Sequence, residues 1–220
     1  MNWEPLTRLQ DQNSCVPDVL VVYGMDFGVP GLYSEQYLTT EELRLFESVK
    51  NADQKRIKMA CRAATRWLLS VYLEVEPPFI NFKVNRYGKP YLNSGSIEFN
   101  ASHTETSFLI GISRFGRIGV DIESPDRNID AGSIARYTLS PCEMRKYLQQ
   151  PDQFYALWTR KEATFKALGT GIPENPHAHD HEILLKKHSL NCITFECPNK
   201  ETASIVHRKT GFPTKTFIIR

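Results

Sequence analysis

The segment at residues 117–123 carries two carboxylates that are spaced to act together. Its β-branched residues alternate with polar or small ones, which predicts a strand with one apolar face. Asp121 and Glu123 then point the same way from the other face, ~7 Å apart. Such a pair suits Mg²⁺, which binds one or two carboxylates together with water and substrate phosphates. An exposed polar strand face explains the same pattern, so both interpretations stay open.

A helix predicted at residues 154–168 adds a third carboxylate and a cation. Its apolar residues form one broad face, and Glu162 and Lys166 stand one turn apart at the edge of that face. These two residues either reach a common site or form an ordinary i,i+4 salt bridge. Lys161 falls near the middle of the apolar face, where an unpaired lysine is costly, so a specific task is expected for it.

Two further segments offer hydrogen-bond donors and cations. The pattern Ser102-x-x-Glu105 follows a predicted strand and is typical of a capping box, with Ser102 as the N-cap. A helical turn there would present free amides to an anion, and His103 would add a donor. A structural cap beside a surface histidine is the alternative. Residues 86–90, Arg-Tyr-Gly-Lys-Pro, predict a turn with two cations.

A long helix is predicted at residues 53–73, because its apolar residues recur within a single ~80° arc. The opposite face is basic and carries Lys55, Lys58, Arg62 and Arg66. This face is either solvated or contacts a polyanion. The alternating histidines between residues 177 and 181 lack the companions of known zinc motifs, so no metal is expected there.

Short strands are predicted around these helices. The first half has strands at residues 18–23, 80–84, 97–101 and 108–113, with the long helix between the first two. The second half has helices at 140–149 and 154–168, and strands at 118–123, 183–185, 192–195, 204–207 and 216–219. The similar order predicts two α+β halves, at residues 1–115 and 116–220, although no residue-level repeat links them.

The composition is that of an ordinary globular protein. It has 41% apolar residues, 24% charged residues and a net charge of +2, which excludes disordered and fibrous classes and does not indicate a nucleic-acid partner. No apolar stretch is long enough for a membrane span, and the N-terminus lacks a signal-peptide pattern. Five scattered cysteines without a C-x-x-C pair favour a reducing compartment, so a cytoplasmic location is expected.

The motifs occur in one order along the chain: Gly88-Lys89-Pro90, Phe99-Asn100-x-Ser102-His103, Gly119-Val120-Asp121-Ile122-Glu123, and Trp158-Thr159-x-Lys161-Glu162-Ala163-x-x-Lys166-x-x-Gly169-x-Gly171. This series, over about residues 54–171, resembles the surfactin-synthetase-activating (Sfp-like) type of 4′-phosphopantetheinyl transferases. The resemblance implies a monomeric α+β fold of two similar halves related by a pseudo-twofold axis. It also implies magnesium as cofactor, coenzyme A as donor and a small acidic carrier protein as acceptor.

The resemblance assigns the metal site and the chemistry to individual residues. Asp121, Glu123 and Glu162 match the family's magnesium ligands, and Lys166 matches the lysine that serves the pyrophosphate and the leaving group. Glu143 aligns with a glutamate proposed in some members as the base for the acceptor serine. That base could equally be a water on the metal.

The resemblance likewise assigns the contacts to coenzyme A. Ser102 and His103 match contacts to its 3′-phosphate, and Arg62 lies where many members have an arginine for the same phosphate. Lys89 and Pro90 match the turn that flanks the adenine. Further candidates for contact with coenzyme A are Lys55 or Arg56, near Arg62 on the basic helix, and Lys161.

Two other functions use the same residue types. A metal-dependent phosphohydrolase also has clustered carboxylates and a lysine, but Thr164 stands where a nuclease-type E-x-K motif requires that lysine. A binding module for coenzyme A or a carrier protein would have lost catalysis, and the intact carboxylates and Lys166 argue against this.

Overall fold

The computed structural model describes residues 4–5, 19–25, 34–93, 95, 97–125, 129–209 and 215–219. These residues form a mixed α+β fold, which confirms the predicted class. The helices are α1 (Thr40–Glu47), α2 (Ala52–Leu73), α3 (Ala131–Thr138), α4 (Pro141–Gln149), α5 (Phe154–Leu168) and α6 (His181–Lys187). Among the described residues, no helix is long and apolar enough to cross a membrane.

The described strands are short. They are β1 (Glu4–Pro5), β2 (Val19–Met25), β3 (Phe82–Val84), β4 (Pro90–Leu92), β5 (Glu98–His103), β6 (Ser107–Ser113), β7 (Ile118–Glu123), β8 (Leu190–Glu196), β9 (Thr202–Arg208) and β10 (Lys215–Ile219). Strand β2 confirms the one predicted at residues 18–23, of which residue 18 lies outside the described residues.

Two sheets form the centre of the molecule. The first has the order β1-β10-β2-β6-β5, the second has the order β7-β9-β8, and β3 and β4 form a separate hairpin. Helix α2 covers one face of the first sheet, and the other face packs against β7 and β9. Helix α5 covers the far side of the second sheet. The layers are therefore helix, sheet, sheet and helix.

The strand order is the same in both halves. In the first half, β2 pairs antiparallel with β6, which pairs antiparallel with β5. In the second half, β7 pairs antiparallel with β9, which pairs antiparallel with β8. Each half thus begins with a strand, continues through a long helix, and returns its last strand beside its first. This agreement supports the two similar halves predicted from element order.

The two halves share strands and core. Strand β10, at residues 215–219, pairs parallel with β2 in the sheet of the first half. Buried Glu201 of the second half accepts hydrogen bonds from Tyr23 Oη at 2.8 Å and Thr104 Oγ1 at 2.7 Å. Both residues belong to the first half. The boundary at residues 115 and 116 stays a prediction, but the chain on either side of it does not form a separate core.

Two local predictions were wrong. Residues 183–185, expected as a strand, belong to helix α6, because Asp180 caps its first turn by accepting from the amides of Glu182 and Ile183. Ser102 was expected to begin a helical turn, but it lies inside β5, and residues 104–106 connect β5 to β6. The anion site expected from free helix amides is therefore absent at this point.

Candidate active site

The close approach of helix α5 to strand β7 assembles the central cluster. Gly119 lies in β7, and a Cβ there would stand 2.2 Å from the backbone oxygen of Ala163 and 2.3 Å from the backbone nitrogen of Ala167. Only glycine permits this contact without movement of the helix. Because side chains alternate along a strand, Asp121 and Glu123 face α5 in the same way as Gly119.

Lys166 joins the two halves of the molecule at Asp121. Its Nζ donates to Asp121 Oδ1 at 2.5 Å and to Ser102 Oγ at 3.1 Å. Ser102 Oγ in turn donates to Asp121 Oδ1 at 3.0 Å. Glu162 Oε2 lies 3.8 Å from the same ammonium group. The structure thus brings Ser102 of β5 to the carboxylates and lysine of the second half, an arrangement that sequence order alone does not reveal.

The second oxygen of Asp121 has no partner among the described residues. Asp121 is only 2% exposed, and its buried Oδ2 accepts no hydrogen bond from the described residues. An unpaired buried oxygen costs roughly 1–3 kcal/mol unless something binds it. This oxygen is therefore available to a cation or to a hydrogen-bond donor on a ligand.

The neighbouring carboxylates repel one another. Burial and then the charge of Asp121 raise the pKa of Glu162 to about 7, and the charge of Lys166 offsets this only in part. Burial acts to lower the pKa of Lys166, but the charges of Asp121 and Glu162 outweigh it and raise that pKa. Glu123 is oriented by Trp158, whose Nε1 donates to Glu123 Oε1 at 3.1 Å. This excess of negative charge over one lysine suits a divalent cation.

Glu143 and Lys161 form a different, fully internal cluster. Lys161 Nζ donates to Glu143 Oε2 at 2.6 Å, and both side chains are at most 2% exposed. His181 contributes its backbone nitrogen at 2.9 Å and its Nδ1 at 2.7 Å to Glu143 Oε1. The backbone nitrogen of Ser140 donates to Glu143 Oε2 at 2.7 Å as part of the capping box of α4.

The surroundings of Glu143 do not favour its role as a base. Burial alone would raise its pKa, but the hydrogen bonds from His181 and Lys161 outweigh burial and lower it to about 2. A carboxylate of such low basicity accepts a serine proton poorly. Lys161, for which a specific task was expected, forms an ion pair with Glu143. These contacts do not support a role for Lys161 in binding coenzyme A. His181, which completes this cluster, was considered from the sequence only as a possible metal ligand, because its contact with Glu143 joins residues 38 positions apart.

The predicted phosphate contacts cluster only in part. Partial burial and the charges of Lys58 and Lys166 lower the pKa of His103, so these two lysines act on its ring. Arg62 lies 3.6 Å from Glu42 of α1 and stacks over Phe82, with Cζ 5.1 Å from the ring centre. Lys55 is half-buried on α2, and exposed Arg56 pairs with Asp53 at 3.5 Å.

The basic face of α2 is not uniformly solvated. Arg66 is 3% exposed, and it donates to Glu42 at 2.7 Å and to the backbone oxygens of Pro77 and Ile80 at 2.6 and 2.9 Å. Arg66 therefore links α1 and the segment after α2 to helix α2. Helical spacing alone placed Arg66 on the basic face with Lys55, Lys58 and Arg62. It could not predict that α1 covers this end of the face.

Lys89 and Pro90 lie at the start of the β3–β4 hairpin's second strand. Lys89 Nζ donates to the backbone oxygen of Ile118 at 3.1 Å and pairs with Glu98 at 3.4 Å. Burial, opposed by Glu98, lowers its pKa. This lysine therefore connects the hairpin to the beginning of β7, close to the central cluster, whereas an adenine contact by either residue remains a prediction.

Comparison with known proteins identifies relatives of this chain. Residues 117–217 match a family model described as the 4′-phosphopantetheinyl transferase superfamily. The chain is 32% identical over 144 residues to the 4′-phosphopantetheinyl transferase HetI of Nostoc sp., with 61% of each chain covered. It is 35% identical over 105 residues to a 4′-phosphopantetheinyl transferase of Bacillus subtilis, which covers 44% of this chain and 45% of the relative.

A further relative comes from Schizosaccharomyces pombe. This L-aminoadipate-semialdehyde dehydrogenase-phosphopantetheinyl transferase is 29% identical over 177 residues, which covers 71% of this chain and 65% of the relative. The chain therefore spans less than two thirds of the length of each of these three relatives. The similarity includes the segments that hold Asp121, Glu162 and Lys166.

Proposed function

Because the chain belongs to the 4′-phosphopantetheinyl transferase superfamily, we propose that it transfers the 4′-phosphopantetheine group of coenzyme A to a serine of a carrier protein. The acceptor is an acyl, peptidyl or aryl carrier in its apo form, and the products are the holo carrier and 3′,5′-ADP. The observation that carries the proposal is the buried Oδ2 of Asp121, which lacks a partner in the described chain and lies beside Lys166 and Glu162.

The carboxylate cluster fits the magnesium ion that this chemistry requires. Asp121, Glu123 and Glu162 would hold the ion, since they supply hard oxygen ligands around an oxygen that is otherwise unsatisfied. When bound, Mg²⁺ would neutralise negative charge on the pyrophosphate of coenzyme A. Burial, followed by the charges of Asp121 and Glu123, raises the pKa of Glu162, and three carboxylates so close together favour added positive charge.

Lys166 is the protein's own contribution to charge stabilisation. In phosphoryl transfer the protein mainly positions the groups and stabilises charge, with little covalent work of its own. The raised pKa of Lys166 keeps it charged at neutral pH, and its contact with Asp121 holds it at the cluster. We assign it to the pyrophosphate oxygens, where negative charge grows as 3′,5′-ADP departs.

We assign the 3′-phosphate of coenzyme A to the surface between β5 and α2. Ser102 and His103 are adjacent on β5, and the charge of Lys58 on α2 reaches the His103 ring. Arg62 follows one turn after Lys58 on the same helix, with Lys55 one turn before it. These donors lie beside the carboxylate cluster because Ser102 contacts both Lys166 and Asp121.

The acceptor serine must lose a proton to a base during the transfer. Glu143 was the residue assigned by resemblance, but its hydrogen bonds and low pKa make it a poor acceptor. The monomeric state and the cytoplasmic location also stay predictions.

Intact-mass spectrometry tests the proposed function directly. The protein is incubated with coenzyme A, Mg²⁺ and a panel of apo carrier proteins, and the expected product is a carrier that has gained one phosphopantetheine. Cleavage of coenzyme A without a modified carrier would identify a phosphohydrolase instead. Binding of coenzyme A with neither product would identify a non-catalytic binding module. Omitting Mg²⁺ and replacing Asp121 with asparagine are the matched controls.

A further inference from the structure

Glu201 is a buried carboxylate that the proposed chemistry does not use. It stands just before β9 and is 1% exposed. Its oxygens accept from two hydroxyl groups, those of Tyr23 and Thr104. None of the ion pairs between described residues includes it. Because a carboxylate buried without a cation is costly, we expect its two hydrogen bonds to serve a purpose.

Thr104 is the last of three residues that hold strand β5 against the second half. Strand β5 lies at the edge of the first sheet, and Thr104 continues the two-residue spacing of Asn100 and Ser102 just past its end. Asn100 Oδ1 accepts from the backbone of β7 at 2.8 Å, and Ser102 Oγ donates to Asp121 Oδ1 at 3.0 Å. Thr104 Oγ1 adds the third contact, to Glu201 Oε1 at 2.7 Å. The edge strand is thus fixed at three successive points.

The contact with Glu201 also fixes the turn that follows β5. While the hydroxyl of Thr104 donates to Glu201, it accepts from the backbone nitrogens of Thr106 and Ser107 at 3.2 and 3.1 Å. The backbone nitrogen of Thr104 donates to the backbone oxygen of Ser107 at 2.8 Å and closes the turn. One hydroxyl group therefore joins this turn to a buried residue of the second half.

The same turn orients the exposed ring of His103. Its Nδ1 lies 3.2 Å from the backbone oxygen of Thr104. Because a carbonyl oxygen only accepts, Nδ1 donates this bond and Nε2 is left for contact with a ligand. Alternation along β5 places His103 on the opposite face from Ser102, where the charge of Lys58 on α2 acts on the ring. The direction of His103 thus depends on where the turn holds the carbonyl of Thr104.

We propose that Glu201, acting through Thr104, is a positioning residue that aims His103 at the 3′-phosphate of coenzyme A. The proposal rests on the proposed function, because it concerns the donor of that reaction. One ribose joins the 3′-phosphate to the pyrophosphate, so the distance between these two groups varies little. His103 and Lys166, the residues assigned to them, must keep a matching separation. A turn that is fixed before the donor arrives reduces the ordering cost of binding.

Isothermal titration calorimetry with two donors, in the absence of a carrier protein, tests the proposal. The wild type should bind coenzyme A more tightly than 3′-dephospho-coenzyme A. Thr104→Val keeps the branched shape but removes the hydroxyl, and Glu201→Leu removes the carboxylate. Each should weaken the binding of coenzyme A about tenfold and leave that of the dephospho donor unchanged. Thr104→Ser, which retains the hydroxyl, should retain the wild-type preference.

Tyr23→Phe is the matched control. Tyr23 is fully buried, and its Oη donates to the other oxygen of Glu201 at 2.8 Å. The substitution therefore removes a hydrogen bond from the same carboxylate but none from the hydroxyl of Thr104. Both Tyr23→Phe and Thr104→Val should be less stable than the wild type in urea, but only Thr104→Val should lose affinity for coenzyme A.

A double variant decides whether Thr104 acts through His103. His103→Ala alone should weaken coenzyme A about tenfold, and adding Thr104→Val to it should cause no further loss. Losses that multiply to about a hundredfold would show that the two residues act independently, and would refute positioning through His103.

The outcomes separate this proposal from the proposed function. No transfer to any apo carrier would refute the proposed function, and calorimetry would still decide whether Thr104 and Glu201 orient His103. An unchanged preference for coenzyme A in Thr104→Val, or an equal loss for both donors, would refute the positioning role even if transfer were observed. A loss of coenzyme A affinity in Tyr23→Phe as large as in Thr104→Val would also refute it, since destabilisation of the core would then explain both. Equal binding of the two donors by the wild type would overturn the proposal as well, because no contact with the 3′-phosphate would exist.

Discussion

Replacement of Lys161 by methionine should destabilise the protein by about 3 kcal/mol, because it removes one partner of a buried ion pair. Methionine fills similar space without a charge, so the main effect is on Glu143. That carboxylate would remain buried, with 1% of its side chain exposed, and would have lost its only cationic donor among the described residues apart from a protonated His181. Removing one partner of such a pair typically costs ~3–5 kcal/mol.

The lower end of that range is expected because Glu143 keeps other donors. The backbone nitrogens of Ser140 and His181 and the His181 ring still contact it. The pKa of Glu143 reports burial and all of its donors together: a fall from 4.5 to about 2 corresponds to roughly 3 kcal/mol at neutral pH, at ~1.4 kcal/mol per pKa unit, and Lys161 supplies one part of it. Because this pKa is lowered on folding, the stabilisation is present above pH ~4.5 and is lost as the pH falls toward ~2.

Urea unfolding followed by circular dichroism measures this loss, with the variants Lys161→Met, Glu143→Gln and the double variant compared at pH 7. The double variant should be more stable than the sum of the single losses predicts, with a coupling of about 2 kcal/mol, because neither partner is then left charged and unpaired. At pH 3 the cost of Lys161→Met should shrink, since part of the native contribution of Glu143 has already been lost.

The catalytic assignments from family resemblance make the opposite prediction. If Glu143 were the base, Glu143→Gln would lower kcat by a hundredfold or more while unfolding at nearly the wild-type urea concentration. If Lys161 bound coenzyme A, Lys161→Met would raise the KM for coenzyme A with a stability loss below ~1 kcal/mol. Either result would refute the structural role inferred here for the pair.

Four further results are expected from the active site. Asp121→Asn should lower kcat at least about a hundredfold with the fold intact by circular dichroism, because it removes a charged ligand of the proposed magnesium ion; unchanged turnover would exclude the magnesium assignment. Lys166→Ala should lower kcat more than it raises KM, and a change confined to KM would restrict this lysine to substrate binding. Arg62→Ala should raise the KM for coenzyme A about tenfold but leave that for 3′-dephospho-coenzyme A unchanged, and equal losses for both donors would remove it from the 3′-phosphate. Gly119→Ala should lower both stability and kcat, because the added Cβ forces α5 away from β7; Gly132→Ala on α3, which has ordinary space, is its control.

Periodic patterns were sufficient to predict the elements that hold the site. The alternation along β7 placed Asp121 and Glu123 on one face, and the helical spacing of α5 placed Glu162 and Lys166 one turn apart. Both patterns are strictly local, since they depend on backbone geometry over a few residues. The burial of Lys161 was predicted for the same reason, from its position on the apolar face of α5.

Partners that are distant in sequence could not be predicted in this way. Ser102 has the spacing of a helix cap, but pairing of β5 with β6 uses its backbone and turns its side chain toward Asp121. Residues 183–185 are apolar enough for a strand, but the cap at Asp180 and the contacts of His181 with Glu143 fix a helix there. In both cases tertiary contacts outweighed a local preference.

The contrast between two carboxylate clusters explains why one of them is the better metal site. Glu143, Asp180 and His181 have ligand atoms within 4.8 Å of one another, which by spacing alone would accept an ion. The oxygens of Glu143 already accept from Lys161, His181 and Ser140, and those of Asp180 accept from Ser140 Oγ and two helix amides. An ion would have to displace these donors. At Asp121 a buried oxygen is still unsatisfied, and Glu162 beside it has a raised pKa. A cation there would relieve an existing cost, so we propose the cluster around Asp121, rather than the one around Glu143, as the metal site.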